Sequence, residues 1–259
     1  MEYIQEGNGE YLILVHGALT DGSMWHEHIE HLKSDFDVVS VTLRNFNESD
    51  LEGFGLNTHA DDLSALIQEL TKIKPVNIVG WSYGADVILN ALAKNDLPIS
   101  KAVVYEPGFP GCLQEQDMST WQSDANNMFG PVFEHFSVGN LNLAVESLID
   151  GSGNKKGYFK YQKKEVQELQ LAKKHTLKNQ LNQQEEPAIS QTSISKIQHK
   201  VVLSYGQNTR DIFKLVTVAT AKLIKSSELK IIPNENHMLP QEKAEQFSNF
   251  IHNELSQEG

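Results

Sequence analysis

The chain has 259 residues, of which 39% are hydrophobic and 22% are charged, a composition that can bury a sizeable core and that excludes global disorder. Its formal net charge of −12 disfavours binding to nucleic acid or to an anionic membrane, because no block of Lys or Arg offsets the repulsion. The sequence has no run of about 20 apolar residues and no signal-peptide pattern, so we expect a cytoplasmic protein whose partner is a small molecule. It does not predict an oligomeric state.

Short apolar runs alternate with helical patterns along most of the chain. Continuous runs of this kind are typical of strands covered on both faces, as in a parallel sheet. Residues 3–6, followed by Gly7-Asn8-Gly9, predict an antiparallel edge strand joined through a hairpin. Thr58 and Asp61 form a capping pair at the start of the first predicted helix. We therefore expect an α/β fold with a doubly wound, mostly parallel sheet and right-handed crossovers. The predicted strands are 11–15, 38–41, 76–79, 102–105, 201–204 and 229–232, and the predicted helices are 58–73, 85–93, 212–223 and 244–251.

The alternation stops between residues 109 and 198, where the pattern predicts helices and no convincing strand. Six of the aromatic residues in this interval supply enough apolar surface for packing, which favours an inserted helical cap, whereas the polar tract 182–195 alone would suit a disordered insertion. We expect residues 1–108 and 199–259 to form the core and residues 109–198 to form the cap. The six aromatic residues are Trp121, Phe129, Phe133, Phe136, Tyr158 and Phe159.

The segment Gly80-Trp81-Ser82-Tyr83-Gly84 fits the pattern G-x-S-x-G and stands between a predicted strand and a predicted helix. A turn of this kind holds the serine in a strained conformation that projects its hydroxyl above the sheet, and the two glycines prevent collisions across the turn. Ser82 is therefore the expected nucleophile. The alternative, a strand-to-helix turn with an incidental serine, is disfavoured because strand, turn and helix are in register.

A second candidate loop, His16-Gly17-Ala18, follows the first predicted core strand. Acyl transfer develops a negative oxygen that needs two preorganised N–H donors. We predict that the backbone amides of Ala18 and Tyr83 supply these donors and form the oxyanion hole. Gly17 would keep a side chain out of the pocket, and His16 is expected to hold the loop rather than to act in catalysis.

His237 is the expected catalytic base. It lies between the last predicted strand and the final helix, on a loop that can reach the edge of the sheet where Ser82 stands. Serine is a poor nucleophile at its own pKa, so an adjacent imidazole must take its proton and later return it to the leaving group. Of the ten histidines, only His237 has this placement.

The order of these segments makes the chain resemble the α/β-hydrolase fold superfamily from end to end. The helical insertion is similar to the cap domain of that superfamily, and the chain is most similar to bacterial hydrolases with ester-type substrates. The resemblance implies a serine hydrolase with esterase-like activity that requires no metal or organic cofactor. The segments that carry it are Val15-His16-Gly17, Asp21-Gly22-Ser23-Met24-Trp25, Gly80-Trp81-Ser82-Tyr83-Gly84-Ala85, Tyr105-Glu106-Pro107 and His237.

The third member of the catalytic triad departs from the usual pattern. The superfamily generally places an acid in Gly-x-x-Asp after the penultimate strand, and this chain has Thr209 at that position. Glu106 ends the preceding strand, where some relatives carry a catalytic glutamate, and we favour it as the acid. Asp211, two residues after the position of the usual acid, is the alternative, although it could instead form an ion pair with Arg210. A third possibility is that no carboxylate completes the triad.

Aromatic residues near the predicted site indicate an apolar pocket for an acyl or alcohol group, although aromatic residues of a cap are as often core residues. The candidates are Trp81, Trp25, Trp121, Phe129 and Phe133.

Two further features receive a structural interpretation. The histidine-rich segment 26–31 does not fit H-E-x-x-H, so we expect no metal site. Cys112 is the single cysteine, and without a Cys-His signature it is expected to be a small packing residue.

The expected reaction is a two-step acyl transfer to water at an ester-like bond of a small molecule. An acyltransferase or a C–C bond hydrolase could use the same site. A non-catalytic small-molecule binder on a decayed hydrolase scaffold is a further alternative, and the absence of Asp from Gly-x-x-Asp favours it.

Overall fold

The computed structural model describes residues 1–47 and 51–256. Within these residues, the chain forms a seven-stranded sheet with the strand order β1-β3-β2-β4-β5-β6-β7. The strands are β1 (Glu2–Gly7), β2 (Glu10–Val15), β3 (Phe36–Thr42), β4 (Val76–Trp81), β5 (Lys101–Tyr105), β6 (Lys200–Gly206) and β7 (Ser227–Ile232).

The sheet is parallel from β2 to β7 in every pairing, and β1 is antiparallel at its edge. The predicted doubly wound, mostly parallel fold is therefore confirmed. The predicted edge strand is antiparallel as expected, but its predicted hairpin is wrong, because β1 pairs with β3 and places Tyr3 opposite Val41. Both edges of β2 are occupied by β3 and β4, so β1 cannot pair with β2 and pairs with the outer edge of β3 instead.

Helices cover both faces of the sheet and connect its strands. They are α1 (His26–Leu32), α2 (Leu56–Leu70), α3 (Tyr83–Lys94), α4 (Glu115–Ser137), α5 (Leu141–Ser152), α6 (Tyr158–Tyr161), α7 (Lys164–Ala172), α8 (Leu177–Asn182), α9 (Gln191–Ile194), α10 (Asp211–Leu223), α11 (Leu239–Glu242) and α12 (Ala244–Ser256), with short 3₁₀ turns at Gly22–Trp25, Pro110–Cys112 and Lys173–Thr176. None of the described helices combines the length and the apolar character that a bilayer crossing requires.

Alternate residues of the strands feed two separate hydrophobic cores, because successive side chains of a strand point to opposite faces of the sheet. Ile13 and Ile78 lie in the core beneath α2 and α3. Leu12 and Val79, their immediate neighbours, lie in the core beneath α1 and α12. Continuous apolar runs are thus explained by burial on both sides, as the sequence pattern predicts.

Between β5 and β6 the described residues form helices α4 to α9 and no strand. The division into a core and a cap with boundaries at residues 109 and 198 stays a prediction. Glu185 connects this segment to the start of α2. Its carboxylate accepts hydrogen bonds from the amide of Asn57 at 2.6 Å and from the amide and hydroxyl of Thr58. The helix α2 begins at Leu56, so the predicted capping pair is wrong, and the remote Glu185 satisfies its first amides instead.

Candidate active site

Ser82 stands in a sharp turn between the end of β4 and the first residue of α3. Its backbone has φ of 56° and ψ of −123°, a region that residues other than glycine rarely adopt. Glycine is required on both sides of it. A Cβ at position 80 would lie 2.7 Å from the carbonyl oxygen of Gly84, and a Cβ at position 84 would lie 2.5 Å from the carbonyl oxygen of His16. The turn therefore presents the serine at the carboxyl edge of the sheet.

A continuous chain of hydrogen bonds joins three side chains at this edge. The hydroxyl of Ser82 lies 2.9 Å from Nε2 of His237, and Nδ1 of the same ring lies 2.7 Å from Oε2 of Glu106. The carboxylate can only accept at Nδ1, so the ring donates there and accepts from the serine at Nε2. His237 and Glu106 are buried. The three residues come from the ends of β4, β5 and β7, which the parallel sheet brings to one edge.

Glu106 is held by two donors in addition to the histidine. Its Oε1 accepts from the amide of Gly206 at 2.7 Å, and its Oε2 accepts from the hydroxyl of Thr209 at 2.6 Å. Its backbone φ of 53° is again in the left-handed region. Thr209 occupies the position where the superfamily pattern expects Asp, and here its hydroxyl donates to Glu106. The sequence shows Thr209 in place of Asp, but no motif predicts that its hydroxyl donates to Glu106.

Asp211, the alternative acid, does not reach His237. It is the exposed first residue of α10 and makes no hydrogen bond to the histidine. The proposed ion pair between Arg210 and Asp211 is also wrong, because Arg210 pairs with Asp124 at 2.6 Å. The start of α10 turns the Asp211 side chain toward solvent, so this alternative is wrong on geometry.

The loop that carries His237 is fixed by buried aromatic residues. Nε1 of Trp81 donates to the carbonyl oxygen of His237 at 2.8 Å, and the hydroxyl of Tyr105 donates to that of Asn236 at 2.6 Å. The ring of Phe213 stacks on the imidazole with centroids 3.7 Å apart and an interplanar angle of 8°. Phe213 was not among the sequence candidates, because nothing in its helical pattern distinguishes it from a core residue.

The two predicted oxyanion donors flank Ser82. Tyr83 is the first residue of α3, so its N–H has no acceptor four residues earlier in the helix and lies at the positive end of the helix dipole. Ala18 lines the same cavity as Ser82. A Cβ at position 17 would lie 3.0 Å from the ring of Trp81 and 3.2 Å from Cβ of Ser82, which is closer than most such contacts. The assignment of both amides to an oxyanion hole stays a prediction.

His16 supports this loop from behind. Its Nδ1 lies 2.8 Å from the carbonyl oxygen of Gly17, and its Nε2 lies 3.1 Å from the amide of Leu43. The amide can only donate, so Nε2 accepts and Nδ1 donates. Burial lowers the pKa of His16 to about 4, which keeps the ring neutral. These contacts agree with the loop-holding role expected from the sequence.

Comparison with known families identifies the fold. The sequence profile described as alpha/beta hydrolase fold matches residues 10–244. The chain belongs to the α/β hydrolase family. MenH from S. aureus superposes on this hydrolase with a TM-score of 0.73 at 17% identity, with 98% of both chains covered. Carboxylesterase CesB (YbfK) from Bacillus subtilis does so with a TM-score of 0.70 at 18% identity, covering 98% of this chain and 87% of that chain. At these identities the likeness shows the fold alone.

Curated relatives match parts of the hydrolase sequence. The uncharacterized hydrolase YraK from Bacillus subtilis is 30% identical over 111 residues, which cover 41% of either chain. A pimeloyl-[acyl-carrier protein] methyl ester esterase from Vibrio atlanticus is 34% identical over 99 residues, which cover 38% of this chain and 36% of that protein. The chain therefore spans less than half the length of either relative.

A cavity of about 410 Å³ opens beside Ser82 and His237 of the hydrolase. Its floor is the carboxyl edge of the sheet, and helices α4, α5 and α8 contribute the opposite walls. Three of the predicted pocket residues line it, namely Trp81, Trp121 and Phe129. Most of the remaining wall is aliphatic or aromatic. The cavity is thus suited to an apolar group next to the serine hydroxyl.

Two of the predicted pocket residues are placed elsewhere. Trp25 is fully buried in the core between α1 and α12, where it stacks with Phe247 at 6.3 Å between ring centroids. Phe133 lies one helical turn beyond Phe129 on α4, past the rim of the cavity, and is 50% exposed. Both predictions are wrong because sequence alone does not show which face of a helix meets the cavity.

Within residues 1–47 and 51–256, no group of three or more His, Cys, Asp and Glu side chains is arranged to hold a metal ion. Cys112 is buried next to Pro110 and Leu113, and burial raises the pKa of its thiol to about 11. A thiol that stays protonated is a poor nucleophile, in agreement with a packing role.

Proposed function

We propose that the protein is a serine hydrolase that cleaves an ester-type acyl bond of a small molecule through a triad of Ser82, His237 and Glu106. The single observation that carries the proposal is the unbroken hydrogen-bond chain from hydroxyl to imidazole to buried carboxylate, with distances of 2.9 Å and 2.7 Å. Each atom in this chain has the donor or acceptor role that proton transfer to the imidazole requires.

In the first step, Oγ of Ser82 attacks the carbonyl carbon while Nε2 of His237 takes the hydroxyl proton. The imidazolium that forms is stabilised by the carboxylate of Glu106 at Nδ1. The amides of Ala18 and Tyr83 donate to the developing oxyanion, and each such donor contributes about 2.7–4 kcal/mol in comparable sites. Collapse of the intermediate breaks the bond to the leaving oxygen, which receives the proton from Nε2.

In the second step, water replaces the leaving alcohol in the cavity. His237 takes a proton from this water, whose oxygen attacks the acyl carbon and forms a second tetrahedral intermediate. The bond to Oγ then breaks, and the proton returns from Nε2 to Ser82. The acid product and the free enzyme result, and the chemistry is complete without a metal or an organic cofactor.

The composition of the cavity supports an apolar acyl or alcohol group. We propose that helices α4, α5 and α8 belong to a cap that closes over this group and that Trp81, Trp121 and Phe129 contact it. Two similar proteins, a carboxylesterase and a methyl ester esterase, support an ester as the scissile group.

A fluorophosphonate probe tests the proposal, because it forms a bond only with an activated hydroxyl. We expect labelling of the wild-type chain and none of Ser82→Ala, together with turnover of p-nitrophenyl esters of increasing chain length by the wild type alone. Absence of labelling in the wild type would favour the non-catalytic binder. Transfer of the acyl group to an added alcohol in preference to water would instead indicate an acyltransferase.

A further inference from the structure

One carboxylate faces the apolar cavity without a cation. Asp86 lies in the first turn of α3, four residues after Ser82, and both residues line the cavity. Asp86 is 7% exposed. Among the described residues that line this cavity there is no Lys or Arg, and Asp86 is the only acidic one.

The hydrogen bonds of Asp86 are unequally divided between its two oxygens. Oδ1 accepts from the amide of Phe109 at 3.0 Å and from that of Gly108 at 3.2 Å. Oδ2 shares the amide of Gly108, also at 3.2 Å. A carboxylate offers about four acceptor positions, so Oδ2 keeps capacity for a further donor.

The positive end of the α3 dipole and two backbone amides face this carboxylate, but no side-chain cation of the described residues does. No described Lys, Arg or His forms an ion pair with it, and a buried carboxylate without a partner is costly. Burial raises the pKa of Asp86 to about 7, because it disfavours the charged form of the carboxyl group. Tyr83 and Cys112, the other titratable groups whose pKa values respond to Asp86, have pKa values raised by burial and stay neutral near pH 7.

We infer that Asp86 binds an ammonium group of the substrate, so that the enzyme acts on esters whose apolar chain carries a primary amine. This inference rests on the proposed function, because it assigns the substrate of the same cavity. The net charge of −12 supports it independently, since a strongly negative molecule attracts cations to its openings.

The position of Asp86 limits the length of the substrate. Asp86 lies one turn after Ser82, because its amide donates to the carbonyl oxygen of Ser82 at 3.1 Å. The ammonium group therefore lies a few bonds from the scissile carbonyl, in either the acyl or the alcohol part. Most of the other residues that line the cavity are apolar, Phe109 and Phe213 among them, so the connecting chain is a hydrocarbon.

The test compares matched ethyl esters by acid release at constant pH. One series carries an acyl chain of increasing length that ends in an ammonium group, and the other ends in a methyl group; a second pair of series places the same ends on the alcohol. We expect wild-type kcat/KM to favour one ammonium ester over its methyl analogue by about tenfold or more, the factor for one charge-assisted hydrogen bond.

The variant Asp86→Asn removes the charge but keeps an oxygen that can accept from Gly108 and Phe109. It should lose the preference, so that its kcat/KM values for the ammonium ester and the methyl ester become equal, whereas damage to the loop alone would lower both rates together and keep their ratio. Glu69→Gln, which removes one exposed charge far from the cavity, should keep the preference.

Binding separates this inference from the proposed function. Ser82→Ala should bind the ammonium amide analogue of the preferred ester about tenfold more tightly than its methyl counterpart, measured by calorimetry. Equal binding, or equal hydrolysis of both esters by the wild type, overturns the inference and leaves the hydrolase proposal intact. Selective binding without hydrolysis of any ester by the wild type would overturn the hydrolase proposal instead, and would support Asp86 as an ammonium site.

Discussion

Replacing Glu106 with Gln turns one side-chain oxygen into an NH₂ group and leaves the size nearly unchanged. In the native site, Oε1 accepts from the amide of Gly206 at 2.7 Å, while Oε2 accepts from Thr209 at 2.6 Å and from His237 at 2.7 Å. The backbone amide can only donate, so the remaining oxygen faces it and the NH₂ group faces the histidine. Nδ1 must then accept, and the ring carries its proton on Nε2, the atom that should receive the proton of Ser82.

The expected consequence is a loss of about 10⁴-fold in kcat, the magnitude that the wrong imidazole tautomer causes in serine proteases. At about 1.4 kcal/mol per factor of ten, this loss corresponds to about 5.5 kcal/mol of transition-state stabilisation. The fold should survive, because the bond to Gly206 remains and the hydroxyl of Thr209 can rotate to accept from the new NH₂ group.

The assay is the turnover of a saturating p-nitrophenyl ester, with thermal unfolding by circular dichroism as the check on folding. Asp211→Asn is the matched control, since it neutralises an exposed carboxylate nearby and should stay close to the wild-type rate. If Glu106→Gln keeps more than about a tenth of the wild-type kcat, or if Asp211→Asn loses as much as Glu106→Gln does, the assignment of the acid is wrong.

The remaining predictions concern the support of the site and its pocket. Thr209→Val removes one hydrogen bond to the acid and should lower kcat by about tenfold with little change in KM. Gly84→Ala places a Cβ 2.5 Å from backbone oxygens and should lower the thermal midpoint, because overpacking costs about 1–3 kcal/mol; an unchanged midpoint would contradict the close approach. Phe129→Ala should raise kcat/KM for long-chain relative to short-chain esters, whereas the half-exposed Phe133→Ala should leave that ratio unchanged. Burial raises the pKa of Asp86 from 3.8 to about 7, so the stability gained from its neutral form is complete below about pH 4 and is lost as the pH rises through 7. Asp86→Asn should therefore raise the melting temperature relative to wild type more at about pH 8 than at about pH 5, and an equal difference at both values would show that Asp86 is not buried in its charged form.

The parts of the fold that depend on local pattern could be predicted from the sequence. Each predicted apolar run of the parallel sheet is a strand, and the runs in β2 to β6 are continuous because both faces of the sheet are buried there, whereas the edge strand β7 is largely exposed. The position of Ser82 followed from the glycines around it, since steric exclusion at a tight turn is encoded within five residues. His237 could be found because the carboxyl ends of parallel strands meet at one edge.

Features that depend on contacts between distant segments could not be predicted in the same way. The start of α2 is stabilised by Glu185, which lies far away in sequence and carries no local signal. The pairing of β1 depends on which strand edge stays open after the core has assembled. Trp25 and Phe133 are aromatic like the residues that line the cavity. Trp25 is instead packed against Phe247 of α12, and Phe133 lies beyond the rim of the cavity, which the sequence does not show.

The proposed position of the acid illustrates how topology can replace a motif. Strands β5 and β6 are neighbours in the sheet, with Tyr105 opposite Ser204, so a side chain at the end of either strand can reach the space beside Nδ1 of His237. In this chain the carboxylate comes from Glu106, directly after β5, and Thr209, three residues after β6, contributes a hydroxyl that donates to it. If a carboxylate can serve His237 equally well from position 106 or from position 209, the double variant Glu106→Ala with Thr209→Asp should recover part of the kcat lost in Glu106→Ala alone. Asp at position 209 would stand where the superfamily usually places its acid. No recovery in a folded double variant would mean that the backbone after β6 cannot bring a carboxylate to the histidine, and that only the left-handed conformation at Glu106 does so.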